Sequence, residues 1–398
     1  MVSLPRDLLS KLTGEVADGL PSFCLERWQS LHETVARINL SESGVYPLTL
    51  AELRDYGVDL ESLGSLELGY GWTRGSPELR EAISELYGGA VPPENIVVTA
   101  GSAEANLVTV LSLVRENDVV LVDMPNYMQV VGLLRWVGAE VVYIWRQPPD
   151  WRFPLQKALE LVSTLRPKAL FVNDPNNPTG SYMTHREIEE LVLEASRLGT
   201  TLVFDEVYWG TERGEPKVSV VQASERGDLI SVSGLSKTYG LPGLRIGWVA
   251  ASSRRISELA WSVKDYTSIA PSVLSDKIAS LILKRDVVAK LRDRARRVVE
   301  ENMRVFLAEI SGKELFEPYP AKSGAFIWVR VPWVEDTLGL AYTIYKQRGV
   351  LLVPGECFEM RGYMRIGLGM KPEHFRVGLR ELVESMDSLK KELTAEGR

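Results

Sequence analysis

The sequence predicts an α/β protein: a three-layer αβα body around a seven-stranded, mostly parallel sheet, with a smaller α+β domain beside it. Two observations predict it. Between Ile96 and Ala250, short β-branched apolar runs alternate with stretches whose apolar residues recur at helical spacing, the pattern of a parallel sheet covered by helices. The chain has 398 residues, 45% of them apolar and 25% charged, spread along its length. It is too long for one small core and has the makeup of a globular protein throughout.

Element by element, the candidate strands are Ile96–Thr99, Val119–Asp123, Glu140–Ile144, Ala169–Asn173, Leu202–Asp205, Leu229–Val232 and Gly247–Ala250. Between them Ala103–Leu113, Met128–Val137, Leu155–Thr164 and Arg186–Leu198 read as crossover helices, the last opened by Thr184 as an N-cap. After Pro271 the character changes, with long amphipathic helices at Val273–Leu283 and Val287–Ile310. Strand-like Ala325–Val331 and Gly349–Pro354, a helix at Leu338–Arg348 and a final helix from Glu373 complete the α+β part. The expected division is residues 46–275 as the large body and 276–398 as the small domain, with residues 1–45 packing on the latter. No internal repeat or low-complexity segment interrupts this order.

Composition excludes several function classes. A net charge of −7 argues against broad nucleic-acid binding, which needs Lys/Arg stripes. Cys24 and Cys357 stand far apart in no Cys-x-x-Cys arrangement and are expected as two free thiols. His32, His185 and His374 never fall at metal-ligand spacing, so no metal is expected. No apolar h-region opens the chain and no stretch approaches membrane-spanning length, which makes the cytoplasm the expected compartment.

Four short elements carry the chemistry. In Ser233-Gly-Leu-Ser236-Lys237, just past a predicted strand, Lys237 is an amine placed to form a Schiff base if partly desolvated near other cations. Eight residues on, Arg245 offers a fixed cation suited to phosphate. Asp205, at the carboxyl end of its strand, can keep a pyridine nitrogen protonated, which makes the ring an electron sink. Three residues later Tyr208 can donate to that ring's 3-oxygen, and Asn177 in Asn173-Asp-Pro-Asn-Asn177-Pro-Thr-Gly180 can supply an amide beside the same oxygen. Gly101, Ser102 and Ala103 sit between a strand and a helix, where uncapped N–H groups bind phosphate. Each element alone is ordinary: surface charge, a capping carboxylate, a turn. Together they suit pyridoxal 5′-phosphate (PLP).

In this order, from Tyr70 to Arg365, the elements resemble the fold-type I, class I/II aminotransferase family, whose large domain has the PLP-dependent transferase fold. The resemblance implies that Lys237 carries PLP as an imine and then serves as the proton-transfer base. It assigns Asn177, Asp205 and Tyr208 to the ring and Arg245 to the phosphate. It adds Tyr127 of Pro125-Asn-Tyr127 as an aromatic stacked on the cofactor, Tyr70 as a residue reaching the phosphate of a neighbouring subunit in a homodimer, and Arg365 as a fork for the substrate α-carboxylate. Gly44, in Ser41-Glu-Ser-Gly44, is a further substrate-side candidate. Where relatives carry a phosphate-binding Ser or Thr, this chain has Gly234, leaving Ser236 or Ser233 to substitute.

The partners this implies are amino acid and 2-oxo acid substrates, with no nucleic acid and no membrane. A lyase or cyclase on a basic amino acid is the alternative, because Leu25–Trp28 and Ser41–Arg54 are similar to the capreomycidine synthase branch. A PLP-binding transcription regulator would need a DNA-binding module for which no segment is available. Some relatives specific for acidic substrates place a lysine where Ala103 stands, so a neutral or basic substrate is expected. Trp28, Tyr46 and Trp72 are candidates to line its side-chain pocket, with Glu42 available to a basic group.

Overall fold

A computed structural model of the chain describes residues 4–319 and 321–396. The outer limits of the expected first and last segments, Met1 and Arg398, lie outside the described residues. All seven expected strands join one sheet: β1 (Ile96–Thr99), β2 (Val119–Met124), β3 (Glu140–Trp145), β4 (Ala169–Asn173), β5 (Thr201–Asp205), β6 (Leu229–Gly234) and β7 (Gly247–Ala251), in the order β1-β7-β6-β5-β4-β2-β3. The pairs β5–β6, β4–β5, β2–β4 and β2–β3 are parallel, while β7 runs antiparallel to both β1 and β6. The carboxyl ends of β2, β4, β5 and β6 therefore share one edge. From β2 the chain moves outward to β3, whereas from β4 it moves the other way to β5 and β6. Such a reversal opens a crevice at the strand ends.

The strands are continuous apolar runs because both faces are covered. Helices α1 (Cys24–His32), α2 (Ser102–Leu113), α3 (Gln129–Trp136), α4 (Leu155–Leu165) and α5 (His185–Leu198) precede the long α6 (Arg285–Ile310). Thr184 caps α5 in a reciprocal box with Glu187, and Gly199 ends that helix in the left-handed region at φ +74. In the C-terminal part α7 (Thr337–Arg348) and α8 (Pro372–Glu396) flank an antiparallel sheet in the order β8-β9-β11-β10, formed by β8 (Glu317–Tyr319), β9 (Phe326–Arg330), β10 (Val353–Pro354) and β11 (Tyr363–Gly367).

Leu8, Leu12, Leu25, Trp28 and Leu40 share one buried cluster with this small sheet and with α6 from Ala295 onward. Val287, Val288 and Leu291 of the same helix pack instead in the core of the large sheet, together with Ile278 and Ile282.

One expectation is overturned here. Cys24 and Cys357 are joined in a disulfide across a sequence separation of 333 residues. Spacing rules see only sequence neighbours, and these two meet because α1 folds back onto the small domain, where Trp28 Nε1 donates to the Leu352 carbonyl at 2.8 Å.

Candidate active site

Three parallel strand ends supply the centre. At the end of β5, Asp205 accepts from Asn106 Nδ2 of α2 at 3.1 Å and from the Val207 N–H at 3.2 Å. Burial raises its carboxyl to about 6, opposed by those hydrogen bonds and by the charge of Lys237. Lys237 lies three residues beyond β6, and its charge also acts on Tyr208, whose hydroxyl burial pushes up. Tyr208 is buried edge-on against Phe326 and donates to Ser43 Oγ at 2.9 Å. Beyond β4, Asn177 is buried, and its Oδ1 accepts from Arg365 Nη1 at 2.8 Å.

Arg365 is carried by β11, opposite Trp328, and is only 1% exposed. Its Nη2 donates to the Ser41 carbonyl at 2.6 Å, while Nε finds no partner among the described residues. Burial lowers its pKa, opposed by Tyr208, Glu42 and Glu26. A buried guanidinium with an unused donor beside an asparagine amide is suited to a carboxylate from outside the chain.

The phosphate end lies at α2. Gly101 stands at φ +86, and no side chain caps the helix, so the first N–H groups of Ser102 and Ala103 have no intrahelical or capping partner. Arg245 covers the turn, since a Cβ on Gly101 would stand 2.3 Å from its Nη2. Its donors reach the Pro242 carbonyl at 3.2 Å and the Ala100 carbonyl at 3.4 Å. A side chain at position 234 would meet the Ile246 carbonyl at 2.9 Å and Gly247 Cα at 3.1 Å, which accounts for glycine there. Ser233 already donates to the Glu206 carbonyl at 3.3 Å, leaving half-buried Ser236 as the candidate hydroxyl.

Over this floor runs the N-terminal segment. The Val45 N–H donates to the Lys237 carbonyl at 3.3 Å, and a Cβ on Gly44 would stand 3.2 Å from Lys237 Cα. Tyr127 meets Phe23 edge-on at 4.9 Å and donates its hydroxyl to Glu26 of α1.

Two groups of expected residues do not join this centre. Tyr70 is 94% exposed on its own chain. The aromatic pocket is a correction: Trp28 is fully buried core, Tyr46 lies under the Arg294 guanidinium at 4.0 Å, and Trp72 is 64% exposed, so the three do not form one lining. Apolar bulk alone did not distinguish packing from a pocket wall.

Aminotransferase class I and II is the family whose model matches residues 38–382. The chain belongs to this family. Among relatives of this aminotransferase, the capreomycidine synthase of Streptomyces vinaceus is 28% identical over 389 residues, covering 94% of this chain and 97% of the other. The aspartate/prephenate aminotransferase of Thermus thermophilus is 28% identical over 357 residues, 82% and 91% of the two chains. Among solved structures, a PLP-dependent aminotransferase from Streptococcus suis superposes with TM-score 0.85 at 33% identity, covering 92% and 98%. The PLP-dependent cyclase OrfR does so with TM-score 0.82 at 26% identity, covering 92% and 96%.

The aminotransferase therefore uses PLP, and its residues fit that group. A carboxylate stands at the end of β5, an uncapped helix start with an arginine over it suits a phosphate, and the charge of the Lys237 amine acts on that carboxylate. Reading the sequence missed Asn106, Ser43 and Glu26, the partners of Asp205, Tyr208 and Tyr127. Asn106, a polar residue set between Ala105 and Leu107 of α2, was the available signal; the other two are brought in by tertiary packing alone.

Proposed function

We propose that this enzyme moves an amino group from an amino acid to a 2-oxo acid, with Lys237 as the residue that would hold PLP covalently. The observation that carries the reading is the convergence of Lys237, Asp205 and the Asn177–Arg365 pair at one sheet edge. When bound, PLP supplies the electron sink that acidifies the substrate Cα–H. With the cofactor bound, Asp205 would keep the ring nitrogen protonated, and Asn177 and Tyr208, whose hydroxyl would turn from Ser43, would donate to the ring 3-oxygen. Gly101, Ser102, Ala103, Ser236 and Arg245 would hold the phosphate, and Tyr127 would pack on the ring. Arg365 grips the α-carboxylate, with Gly44 leaving room beside Lys237. Once displaced, Lys237 would move the proton between the substrate Cα and the cofactor's C4′, a general acid–base task typically worth about 10²–10⁴-fold.

Three carboxylates support a neutral or basic substrate over a dicarboxylic one. Burial raises Glu33, with Glu42 and Glu26 adding to the rise and Lys237 opposing it, so acidic charge collects near the amine. A second reading, a cyclase or lyase acting on a basic amino acid, is favoured by the likeness to capreomycidine synthase and OrfR over nearly the whole chain. Mixing the purified enzyme with single amino acids separates the two. Transamination bleaches the imine absorbance and yields a stoichiometric keto acid. A cyclic product with no keto acid, or a keto acid released together with free ammonia, would replace the first reading by the second, and a clear preference for aspartate would defeat the substrate class.

A homodimer is part of the proposal. Leu68, Tyr70, Trp72, Tyr266 and Ile269 are exposed apolar residues, and the two segments that bear them are tied together where Lys264 donates to the Thr73 and Ile269 carbonyls. Exposed apolar surface of this kind marks an interface. The cytoplasm stays the proposed compartment. No described helix is long and apolar enough to cross a membrane. The disulfide weighs against it, since such bonds are rare in mesophilic cytosol. Thiol alkylation in intact cells, before and after reduction, decides that point.

A further inference from the structure

We infer that the buried Asp123–Arg146 pair positions two loops of the cofactor site at once, with Asp123 as the hub. The inference rests on the reading that Asn177 and Tyr127 face PLP. Asp123 lies in β2, where the order of strand addition reverses, and Arg146 directly follows β3; both side chains are fully buried. A buried ion pair is a poor source of stability, since desolvation cancels most of the attraction and apolar replacements are often neutral. Its geometry supplies the reason for it.

Arg146 donates to Asp123 Oδ2 from Nε at 2.9 Å and from Nη2 at 2.8 Å. The same oxygen accepts from Asn176 Nδ2 at 3.4 Å, while Oδ1 accepts from Asn126 Nδ2 at 2.8 Å and from the Asn173 N–H at 3.0 Å. Each of the last two contacts ends one hydrogen bond short of a site residue. Asn126 Oδ1 accepts from the Tyr127 N–H at 2.6 Å, and Asn173 Oδ1 accepts from the Asn177 N–H at 2.6 Å. From Asn177 the line continues to Arg365. The loop after β2 and the loop after β4 thus take their relative position from one carboxylate. Only a carboxylate accepts on both oxygens; an amide would turn an NH₂ group toward a donor.

Asp123→Asn in the holoenzyme, with Asn173→Ala and Asn126→Ala to cut the two branches separately, tests this. The readouts are the pH midpoint of the imine absorbance, the PLP dissociation constant and kcat/KM. Asp123→Asn and Asn173→Ala should raise the midpoint by about 0.7 of a pH unit, the equivalent of one lost hydrogen bond to the ring 3-oxygen. They should lower kcat/KM about 10²-fold, as expected for an ångström of misplacement, with PLP affinity within a few-fold of the parent. Asn126→Ala should lower kcat/KM and leave the midpoint in place. If Asp123→Asn does not fold, the two asparagine variants decide alone. Asn177→Ala is the control. If it moves the midpoint and Asp123→Asn and Asn173→Ala do not, the hub is wrong while the site reading stands. If Asn177→Ala itself leaves the midpoint unmoved, the premise about the site fails and the inference with it.

Discussion

Burial raises the Asp205 carboxyl to about 6, although Asn106 and the Val207 N–H pull it back. A carboxyl with a folded pKa above its unfolded value contributes stability at low pH that is lost as pH rises from about 4 through about 6. In protein stripped of PLP, Asp205→Asn should therefore melt above the parent at pH 8 and level with it at pH 4. Equal melting at both pH values would mean that the carboxyl is not raised. Asp205→Ala should retain PLP, since the phosphate contacts and the imine remain, but lose turnover. A variant within a few-fold of the parent in kcat would remove Asp205 from the chemistry. Lys237, Asp205, Asn177 and Arg365 were readable in the sequence because each sits in a short segment whose residue types serve one chemistry. Ser43, Glu26 and the Asp123–Arg146 pair were not, because their contacts join chain positions 20 or more residues apart.

At the scale of elements, α1 is held over the site by the Cys24–Cys357 disulfide and by the Trp28–Leu352 hydrogen bond. A crosslink between residues so distant in sequence restricts the unfolded chain strongly, and losing one typically costs about 2–5 kcal/mol. Cys24→Ser should lower the denaturation midpoint accordingly and make it insensitive to dithiothreitol, while the parent falls to the same value on reduction. A parent whose midpoint ignores dithiothreitol would contradict this role. The seven strands of the large sheet were legible from continuous apolar runs between helical segments. Strand β11 was not, because Arg365, a buried charge, interrupts its five residues. That interruption is the cation proposed for the substrate side.

For the whole molecule, we propose that the division between large and small parts falls inside α6, where burial passes from the large-sheet cluster at Leu291 to the small-domain cluster at Ala295. In the proposed homodimer a second copy would cover exposed Tyr70 and Trp72 and bring Tyr70 to the partner's phosphate site. Sedimentation should find a dimer at assay concentrations, and dilution below its dissociation constant should abolish activity; a fully active monomer would overturn the dimer. Composition and strand pattern made the two-part α/β plan legible, whereas the assembly depends on which apolar residues stay exposed after folding. The central claim, that Lys237 holds the cofactor, is tested by borohydride reduction of the holoenzyme followed by peptide mapping. The reduced pyridoxyl group should appear on the peptide containing Lys237 and be missing from Lys237→Ala, and label on any other lysine would contradict the account.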